Sequence, residues 1–263
     1  MNDASLPPLL TADEPPPVER CTGSNGVLLT CDHASRRVPR ALDGLGLAEA
    51  ELAQHIGWDI GAAAVTRRLA TLIDVPALLA GYSRLVIDCN RDPGDPTSIA
   101  AVSDGIAVPG NRDLTPAARA ARRQAIFDPY HAAIAQAIEA RLARGASPAL
   151  VSIHSFTPVM AGVARPWHVG VLWDEDPRLP VPLLKALRAE PGLVVGDNEP
   201  YSAQAPAGYT VRHHAVARGL PHVAIELRQD LVAEPEGAAQ WAERLARLLR
   251  PILAAAGAAA SGN

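Results

Sequence analysis

A short apolar run that carries one acidic residue near its end constrains this chain more than any other feature. His222 to Leu227 is apolar and partly β-branched and follows Gly219 and Pro221, which predicts a buried strand. Glu226 interrupts that run. A buried carboxylate is costly unless it is hydrogen-bonded, paired with a cation or placed beside a metal ion. Glu226 therefore indicates a polar site within an apolar sheet.

Two further strand-like runs end in the same way. Residues 27–31 lead into Asp32 and His33, and residues 149–153 lead into His154. Each of these polar residues, taken alone, is equally explained as a hydrogen-bonded group at the end of a strand. Three strands that each deliver an acid or an imidazole to one edge are, however, typical of an α/β enzyme site.

The order of the remaining segments predicts the fold class. Strand-like runs alternate with amphipathic helical runs such as 62–73, and neither a repeat nor a linker separates them. We therefore expect one α/β domain over residues 25–258, a three-layer α/β/α sandwich with a mostly parallel mixed sheet. Residues 1–24 are acidic and rich in proline, which predicts an irregular N-terminal arm. Residues 76–82 and 85–89 are predicted as two further strands.

Composition limits the expected partners and compartment. The formal net charge is -4 at pH 7, which gives no reason to expect a nucleic-acid partner. No apolar stretch reaches the ~20 residues that span a bilayer, and the N-terminus does not have the pattern of a signal peptide. The 3 cysteines lack the spacing of a zinc knuckle or a disulfide framework. We expect no membrane partner and a cytoplasmic location; the sequence does not indicate an oligomeric state.

The polar strand ends together predict a zinc hydrolase site. His33 and His154 follow separate strands, so they can converge although they are far apart in the chain. Two imidazoles, one carboxylate and an open fourth position form a catalytic zinc site, in which the bound water has a pKa of about 7. Glu226 is then predicted as the general base that takes the water proton and passes it to the leaving nitrogen. Arg91, supported by Asn90, is predicted to hold a substrate carboxylate.

Three other polar residues are further candidates. Arg84 is predicted to polarise the scissile carbonyl. Tyr201 is predicted to line the substrate pocket, although ordinary loop packing explains it equally well. His214 is predicted to donate a hydrogen bond to the substrate, although a capping or exposed position on a helix also explains it.

Several motifs together resemble the N-formylglutamate amidohydrolase family, in the same order from about residue 26 to about residue 241. The motifs are Cys31-Asp32-His33-Ala34-Ser35, Trp58-Asp59-Ile60-Gly61, Ser83 to Arg91, His154-Ser155-Phe156-Thr157-Pro158, Asn198-Glu199-Pro200-Tyr201 and Glu226-Leu227-Arg228-Gln229-Asp230. Ile225 to Arg228 and Ser152 to Phe156 also resemble the catalytic-glutamate and second-histidine strands of zinc carboxypeptidases. Asn90-Arg91 resembles the pair with which those enzymes, and aspartoacylase and succinylglutamate desuccinylase enzymes, hold a carboxylate. The resemblance implies a phosphorylase/hydrolase-like fold and a zinc-dependent amidohydrolase. It also implies a small acidic N-acyl amino acid substrate, N-formyl-L-glutamate, with formate and glutamate as products.

One position departs from this resemblance. Carboxypeptidase-type enzymes have a glutamate ligand three residues after the first histidine, where this chain has Arg36. A cation cannot bind zinc, so another carboxylate must complete the site. Asp59 is the first candidate, with Asp32 and Asp88 next, although Asp59 could instead cap the helix that follows it. The substitution keeps open a different acyl substrate, a carboxypeptidase-like enzyme acting on a peptide or cell-wall fragment, and a ligand-binding relative without activity.

Overall fold

Strands and helices alternate along the computed structural model, which describes residues 8–145, 147–203 and 208–260. The strands are β1 (Val18–Cys21), β2 (Val27–Cys31), β3 (Ala77–Ala80), β4 (Val102–Ser103), β5 (Ile106–Ala107), β6 (Ala149–Phe156), β7 (Val159–Met160), β8 (Val163–Ala164), β9 (Val169–Leu172), β10 (Val195–Asp197) and β11 (His222–Arg228). The α-helices are α1 (Glu49–Leu52), α2 (Ala62–Ile73), α3 (Pro116–Arg122), α4 (Asp128–Leu142), α5 (Pro180–Arg188), α6 (Tyr209–His214) and α7 (Pro235–Ala260), with a π-helical segment, Arg123–Phe127, between α3 and α4. Short 3₁₀ segments lie at Arg40–Gly46, Pro96–Ile99, Pro109–Asn111, Val216–Arg218 and Gln229–Leu231. No helix in these described ranges has the length and apolarity needed to cross a membrane.

Seven strands form one mixed sheet in the order β1-β3-β2-β6-β11-β9-β10. The central strands β3, β2, β6 and β11 are parallel, whereas β1 runs antiparallel to β3 and β9 runs antiparallel to β11. The predicted α/β fold with a mostly parallel mixed sheet is therefore confirmed. Because the central strands run in one direction, their carboxyl ends meet at one edge, where ligands bind in sheets of this kind.

Helices cover both faces of the sheet. One core lies between the sheet and α2, α5 and α7, and the central strands contribute Leu29, Val151 and Ile225 to it. The other core lies between the opposite face and α4, and the same strands contribute Leu28 and Leu150. Successive residues of a strand enter opposite cores because the backbone is pleated. The sheet is thus the middle layer of three, as predicted.

The N-terminal segment is more regular than predicted. Residues 18–21 lie within the arm that is predicted to be irregular, but they form β1, with Val18 opposite Ala80 and Cys21 opposite Ala77. Irregular structure is therefore the wrong prediction for these four residues. They are too few to show a pattern beside their proline-rich neighbours, and β1 is a strand because it pairs with β3. Residues 1–7 of the same prediction lie outside the described residues.

The apolar run 85–89, predicted as a strand, is a buried irregular segment and requires a correction. Distant side chains satisfy three of its carbonyl groups: Asn111 donates to Leu85 at 2.8 Å, Arg122 to Val86 at 3.1 Å and His131 to Cys89 at 2.9 Å. A run of five residues that is buried on all sides has the same composition whether a neighbouring strand or side chains satisfy its backbone. The segment carries Asp88 to the edge of the sheet where β2 and β6 end.

Candidate metal centre and active site

Three of the predicted site residues meet at the carboxyl-terminal edge of the parallel strands. His33 lies two residues beyond the end of β2, and His154 lies within β6. Glu226 on β11 is the register partner of His154 on the adjacent parallel strand. All three residues are buried. The sheet itself therefore determines where these side chains lie.

Asp59 contacts both histidines. Its Oδ2 atom lies 2.9 Å from Nδ1 of His154 and 3.2 Å from Nδ1 of His33. Its backbone N–H donates to the carbonyl of His33 at 3.0 Å, which places Asp59 beside the end of β2. The N-cap of α2 is Gly61, and no side chain caps this helix. Asp59 is thus directed at the histidines and is not a helix cap.

Arg36 lies outside this group. Its Nη2 atom is 3.1 Å from a carboxylate of α1, and 43% of its side chain is exposed. The residue that departs from the carboxypeptidase pattern therefore forms a surface ion pair, and Asp59 supplies the carboxylate beside His33 and His154.

The second ring nitrogen of each histidine contacts a further buried carboxylate. Nε2 of His33 lies 2.7 Å from Oδ1 of Asp88. Nε2 of His154 lies 3.2 Å from Oδ2 of Asp32 and 3.0 Å from Oγ of Ser152. Contacts of this kind fix the tautomer and orientation of a metal-binding histidine and leave its other nitrogen free to bind. Asp32 and Asp88 thus support the histidines, a role that was not predicted from the sequence.

Asp32 and Asp88 are themselves held by hydrogen bonds. Their donors include the hydroxyls of Tyr130 and Thr210, at 2.7 and 2.9 Å from Asp32, and the backbone N–H of Asn90, at 2.8 Å from Asp88. Burial alone would raise the pKa of both carboxyls. At Asp32 the contact with His154, and at Asp88 the charge of Arg84, outweighs burial, so the pKa of each carboxyl is lowered. Both groups are therefore anions that attract positive charge to the histidines.

His33, Asp59 and His154 have the composition of a metal site. Their candidate donor atoms lie within 4.8 Å of one another, and all three residues are buried. Two imidazole nitrogens and one carboxylate match the protein ligands of a catalytic zinc ion. Burial, and at His33 also Arg84, opposes protonation, yet the carboxylates raise the pKa of His33 and raise that of His154 well above its usual value. The group thus favours a cation between the two histidines.

Glu226 is a buried acid with one oxygen that lacks a partner. In the described part of the chain, its Oε2 atom has no hydrogen-bond partner. Burial raises the pKa of Glu226 to about 7; His154 opposes this rise and Asp59 adds to it. A bound divalent cation would favour the carboxylate form. Glu226 is thus a buried carboxyl group beside the histidine group, with a pKa close to neutral pH.

The residues predicted to bind and polarise the substrate lie around Asp88. Arg84 donates to Oδ2 of Asp88 at 2.7 Å, and its Nη1 atom lies 3.6 Å from Oδ1 of Asp59. Nε of Arg91 lies 3.4 Å from Oδ2 of Asp88, and 40% of the Arg91 side chain is exposed. The amide oxygen of Asn90 accepts a backbone N–H of α6 at 3.0 Å. The structure therefore brings these three residues together beside the candidate metal ligands, with Arg91 accessible to a ligand.

The last two predicted residues differ in their surroundings. Tyr201 is 40% exposed and follows Glu199, whose carbonyl packs on Gly170, the register partner of Glu226 on β9. Burial and the charge of Glu226 both raise the pKa of Tyr201. His214 is 1% exposed, and its Nε2 lies 2.9 Å from Nδ1 of His131. Because Nε2 of His131 donates to the carbonyl of Cys89, Nδ1 of His131 accepts the proton of His214. The ring N–H of His214 is thus used within the protein, and this packing gives no support to its predicted contact with substrate.

Comparison with known proteins identifies the family of this chain. The family model described as N-formylglutamate amidohydrolase matches residues 25–233. A gene product from Agrobacterium tumefaciens is 36% identical, with a TM-score of 0.90 over 94% of this chain and 98% of that chain. An N-formylglutamate amidohydrolase from Ralstonia eutropha is 22% identical, with a TM-score of 0.70 over 91% of this chain and 97% of that chain, and so shares the fold. No curated protein matches the chain. The resemblance predicted from the motifs is confirmed: the chain belongs to the N-formylglutamate amidohydrolase family.

Proposed function

We propose that this chain is a zinc-dependent amidohydrolase that converts N-formyl-L-glutamate to formate and L-glutamate. Membership of the family supports an enzyme that hydrolyses amides. The arrangement of the site supports zinc-dependent hydrolysis. Asp59 contacts Nδ1 of both His33 and His154, and Glu226, whose Oε2 has no partner among the described residues, lies on the neighbouring strand. A site of this kind needs a cation to balance the carboxylates and an acid–base group beside it.

The metal would be held by Nδ1 of His33, Nδ1 of His154 and the carboxylate of Asp59. The donor set fits zinc because it combines two imidazoles with one carboxylate, and because Asp88 and Asp32 contact the outer nitrogens of the two rings. When bound, such an ion polarises a carbonyl oxygen and lowers the pKa of water to about 7.

The other residues bind the substrate and move protons. Arg91 and Nδ2 of Asn90 hold a substrate carboxylate, and Arg84 directs positive charge at the carbonyl oxygen of the formyl group. Glu226 takes a proton from the attacking water, whose oxygen adds to the formyl carbon. Glu226 then gives this proton to the amide nitrogen as the C–N bond breaks, and formate and the free amine leave.

Formate release tests this proposal directly. The protein is depleted of metal, reloaded with one equivalent of zinc and incubated with N-formyl-L-glutamate, N-acetyl-L-glutamate and short peptides with a C-terminal glutamate. We expect hydrolysis of N-formyl-L-glutamate that requires metal, and a kcat/KM for it that exceeds those of the other compounds. Preferred cleavage of peptides would support a carboxypeptidase-like enzyme instead.

Metal content separates the third possibility, a ligand-binding relative without activity. We expect close to one bound zinc ion per chain, with none in a His33→Ala, His154→Ala double variant. A protein that binds no divalent metal, or that binds metal and hydrolyses none of these compounds, would contradict the proposed enzyme.

A further inference from the structure

We propose that Arg165 binds the second carboxylate of the substrate and is a specificity-determining residue of the site. Arg91 holds one carboxylate in the proposed function, and Arg165 holds the other. This role rests on the proposed function, because it adds a substrate-binding residue to the same site. It assigns a role to a residue that none of the sequence motifs includes.

The position of Tyr201 connects Arg165 to the site. Glu226 pairs with Gly170 of β9 on the side away from His154. Gly170 permits the carbonyl oxygen of Glu199 to approach so closely that an added Cβ would lie 1.9 Å from it. The turn that contains Glu199 and Tyr201 therefore packs on the strand next to Glu226. The charge of Glu226 accordingly contributes, after burial, to the raised pKa of Tyr201.

Two aromatic rings hold the guanidinium of Arg165. Its Cζ atom lies 4.9 Å from the centre of the Tyr201 ring and 6.0 Å from that of Phe156. Its Nη1 atom donates to the hydroxyl of Tyr201 at 2.9 Å. Phe156 lies two residues beyond His154 on β6, so both side chains emerge on the same face of the sheet. Arg165 is thus fixed at the same edge of the sheet as Glu226 and His154.

Charge distinguishes Arg165 from the other arginines of the site. Arg84 and Arg91 both contact Asp88, and Arg84 also approaches Asp59. Within the described residues, no carboxylate lies within 4.0 Å of the Arg165 guanidinium, which contacts the two rings and donates to one hydroxyl. A guanidinium presents a rigid set of donors that matches a carboxylate in bidentate geometry. Stacking on Tyr201 orients this set without neutralising it.

The two arginines lie on different sides of the catalytic group. Arg91 contacts Asp88, which supports His33. Arg165 lies beside Tyr201, and the turn that contains Tyr201 packs on β9, the strand next to Glu226 on the side away from His154. A substrate whose amide is held beside Glu226 can therefore place one carboxylate towards Arg91 and another towards Arg165. N-formyl-L-glutamate has two carboxylates, whereas the N-formyl derivative of a neutral amino acid has only one.

The test compares three substrates on two arginine variants. The substrates are N-formyl-L-glutamate and its two monoamides, N-formyl-L-glutamine and N-formyl-L-isoglutamine, each of which lacks one carboxylate. Arg165→Met keeps the apolar stem and removes the donors, Arg91→Met does the same at the other anchor, and Arg144→Met is the control because Arg144 is exposed. We expect Arg165→Met to lower kcat/KM for N-formyl-L-glutamate by roughly 10–100-fold, the range for lost hydrogen bonds to a charged group.

The pattern across the monoamides decides the inference. One monoamide lacks the carboxylate that Arg165 binds, so Arg165→Met should change its kcat/KM less than twofold. The other monoamide lacks the carboxylate that Arg91 binds, so Arg91→Met should change its kcat/KM less than twofold. Arg165→Lys should recover only part of the loss, because an ammonium lacks the planar set of donors. A similar loss for all three substrates in Arg165→Met, or no loss for any of them, would overturn the role of Arg165.

Binding to a Glu226→Gln protein separates this inference from the proposed function. If the wild-type protein releases no formate, the proposed function fails. Calorimetric titration of the zinc-loaded Glu226→Gln protein with N-formyl-L-glutamate still measures the contribution of Arg165. A Kd that rises at least 10-fold with the added Arg165→Met change supports the inference, whereas an unchanged Kd, or no binding in either protein, overturns it.

Discussion

Glu226 and His154 are register partners on adjacent parallel strands, and they differ in how their polar atoms are satisfied. Nδ1 and Nε2 of His154 contact Asp59 and Asp32, whereas Oε2 of Glu226 has no partner among the described residues. A fully paired imidazole thus lies beside an acid that is held in a poorly solvated position. Burial of a carboxyl group without a partner is costly, but it raises the pKa of the group. A raised pKa suits a group that must accept and return a proton near neutral pH.

Glu226→Gln should separate binding from proton transfer. The variant keeps the shape of the side chain but cannot accept a proton, so we expect metal and substrate to bind while kcat falls by roughly 10²–10⁴-fold. Loss of metal would identify Glu226 as a ligand. Loss of stability with an unchanged kcat would identify it as a structural partner in β11. Glu236→Gln, at an exposed position, is the control.

The same variant also has an expected effect on stability without metal. The pKa of Glu226 is about 7 in the folded protein, above its usual value of 4.5. Between these two values the folded state binds more protons than the unfolded state, so this residue lowers stability as pH rises from 4.5 to 7. At pH 8 the free energy of unfolding of Glu226→Gln should therefore exceed that of the wild type by about 1–3 kcal/mol. Urea denaturation measures this difference. A difference in the free energy of unfolding between Glu226→Gln and the wild type that is the same at pH 5 and pH 8 would contradict the raised pKa of Glu226.

Asp59→Asn should remove the metal without unfolding α2. The amide cannot replace an anionic ligand, and Asp59 does not cap the helix. We expect a greater loss of zinc affinity than for Asp32→Asn or Asp88→Asn, whose outer contacts to the histidines are worth roughly 10–100-fold. Competition with a chromophoric chelator measures all three variants. Stoichiometric zinc in Asp59→Asn would exclude this residue as the third ligand.

Arg91→Lys should weaken substrate binding more than catalysis. The ammonium keeps the charge but loses the planar donor set, and 40% exposure of the side chain moderates the loss. We expect KM for N-formyl-L-glutamate to rise about 10-fold, at the lower end of the range for a lost charge-assisted hydrogen bond. Arg112→Lys, at an exposed position, is the control. An unchanged KM, or equal turnover of an N-formyl amide without carboxylates, would argue against this anchor.

Local sequence patterns are sufficient to predict part of the site. His33, His154 and Glu226 each follow or end an apolar run, and the parallel order of β2, β6 and β11 brings these ends together. Asp59 precedes an amphipathic helix whose bounds agree with the predicted 62–73. In these segments the sequence pattern and the packing point to the same structure.

The remainder depends on partners that are distant in the chain. Residues 85–89 are irregular because Asn111, Arg122 and His131 bind their carbonyl groups, and no local pattern indicates such donors. The role of Asp88 follows from the same geometry, since this irregular segment places the Asp88 carboxylate 2.7 Å from Nε2 of His33. Hydrogen bonds between distant residues therefore determine the conformation of this segment, which the hydrophobic periodicity of the sequence does not reveal.

The His131–His214 contact predicts an acid-sensitive link between α4 and α6. Burial lowers the pKa of His131 to about 4 and that of His214 to about 3, from the usual 6.5. Between pH 6.5 and about 4 the unfolded chain binds protons that the folded chain does not, so stability is fully present above pH 6.5 and decreases as the pH falls. Each histidine can contribute up to about 1.4 kcal/mol per pH unit in this window.

A His214→Phe variant of the metal-free protein, compared with the wild type, tests this link. At pH 7 we expect the His214 variant to be less stable than the wild type by about 1–3 kcal/mol, because Nδ1 of His131 loses its donor. At pH 5 this difference should shrink. The low pKa values of both His131 and His214 reduce the stability of the wild type at this pH, whereas only His131 does so in the variant. Taking the difference between the two proteins cancels the opposite titration of His33 and His154, whose pKa values are raised. A difference in the free energy of unfolding that stays constant from pH 7 to pH 5 would show that His214 is not held neutral by its burial.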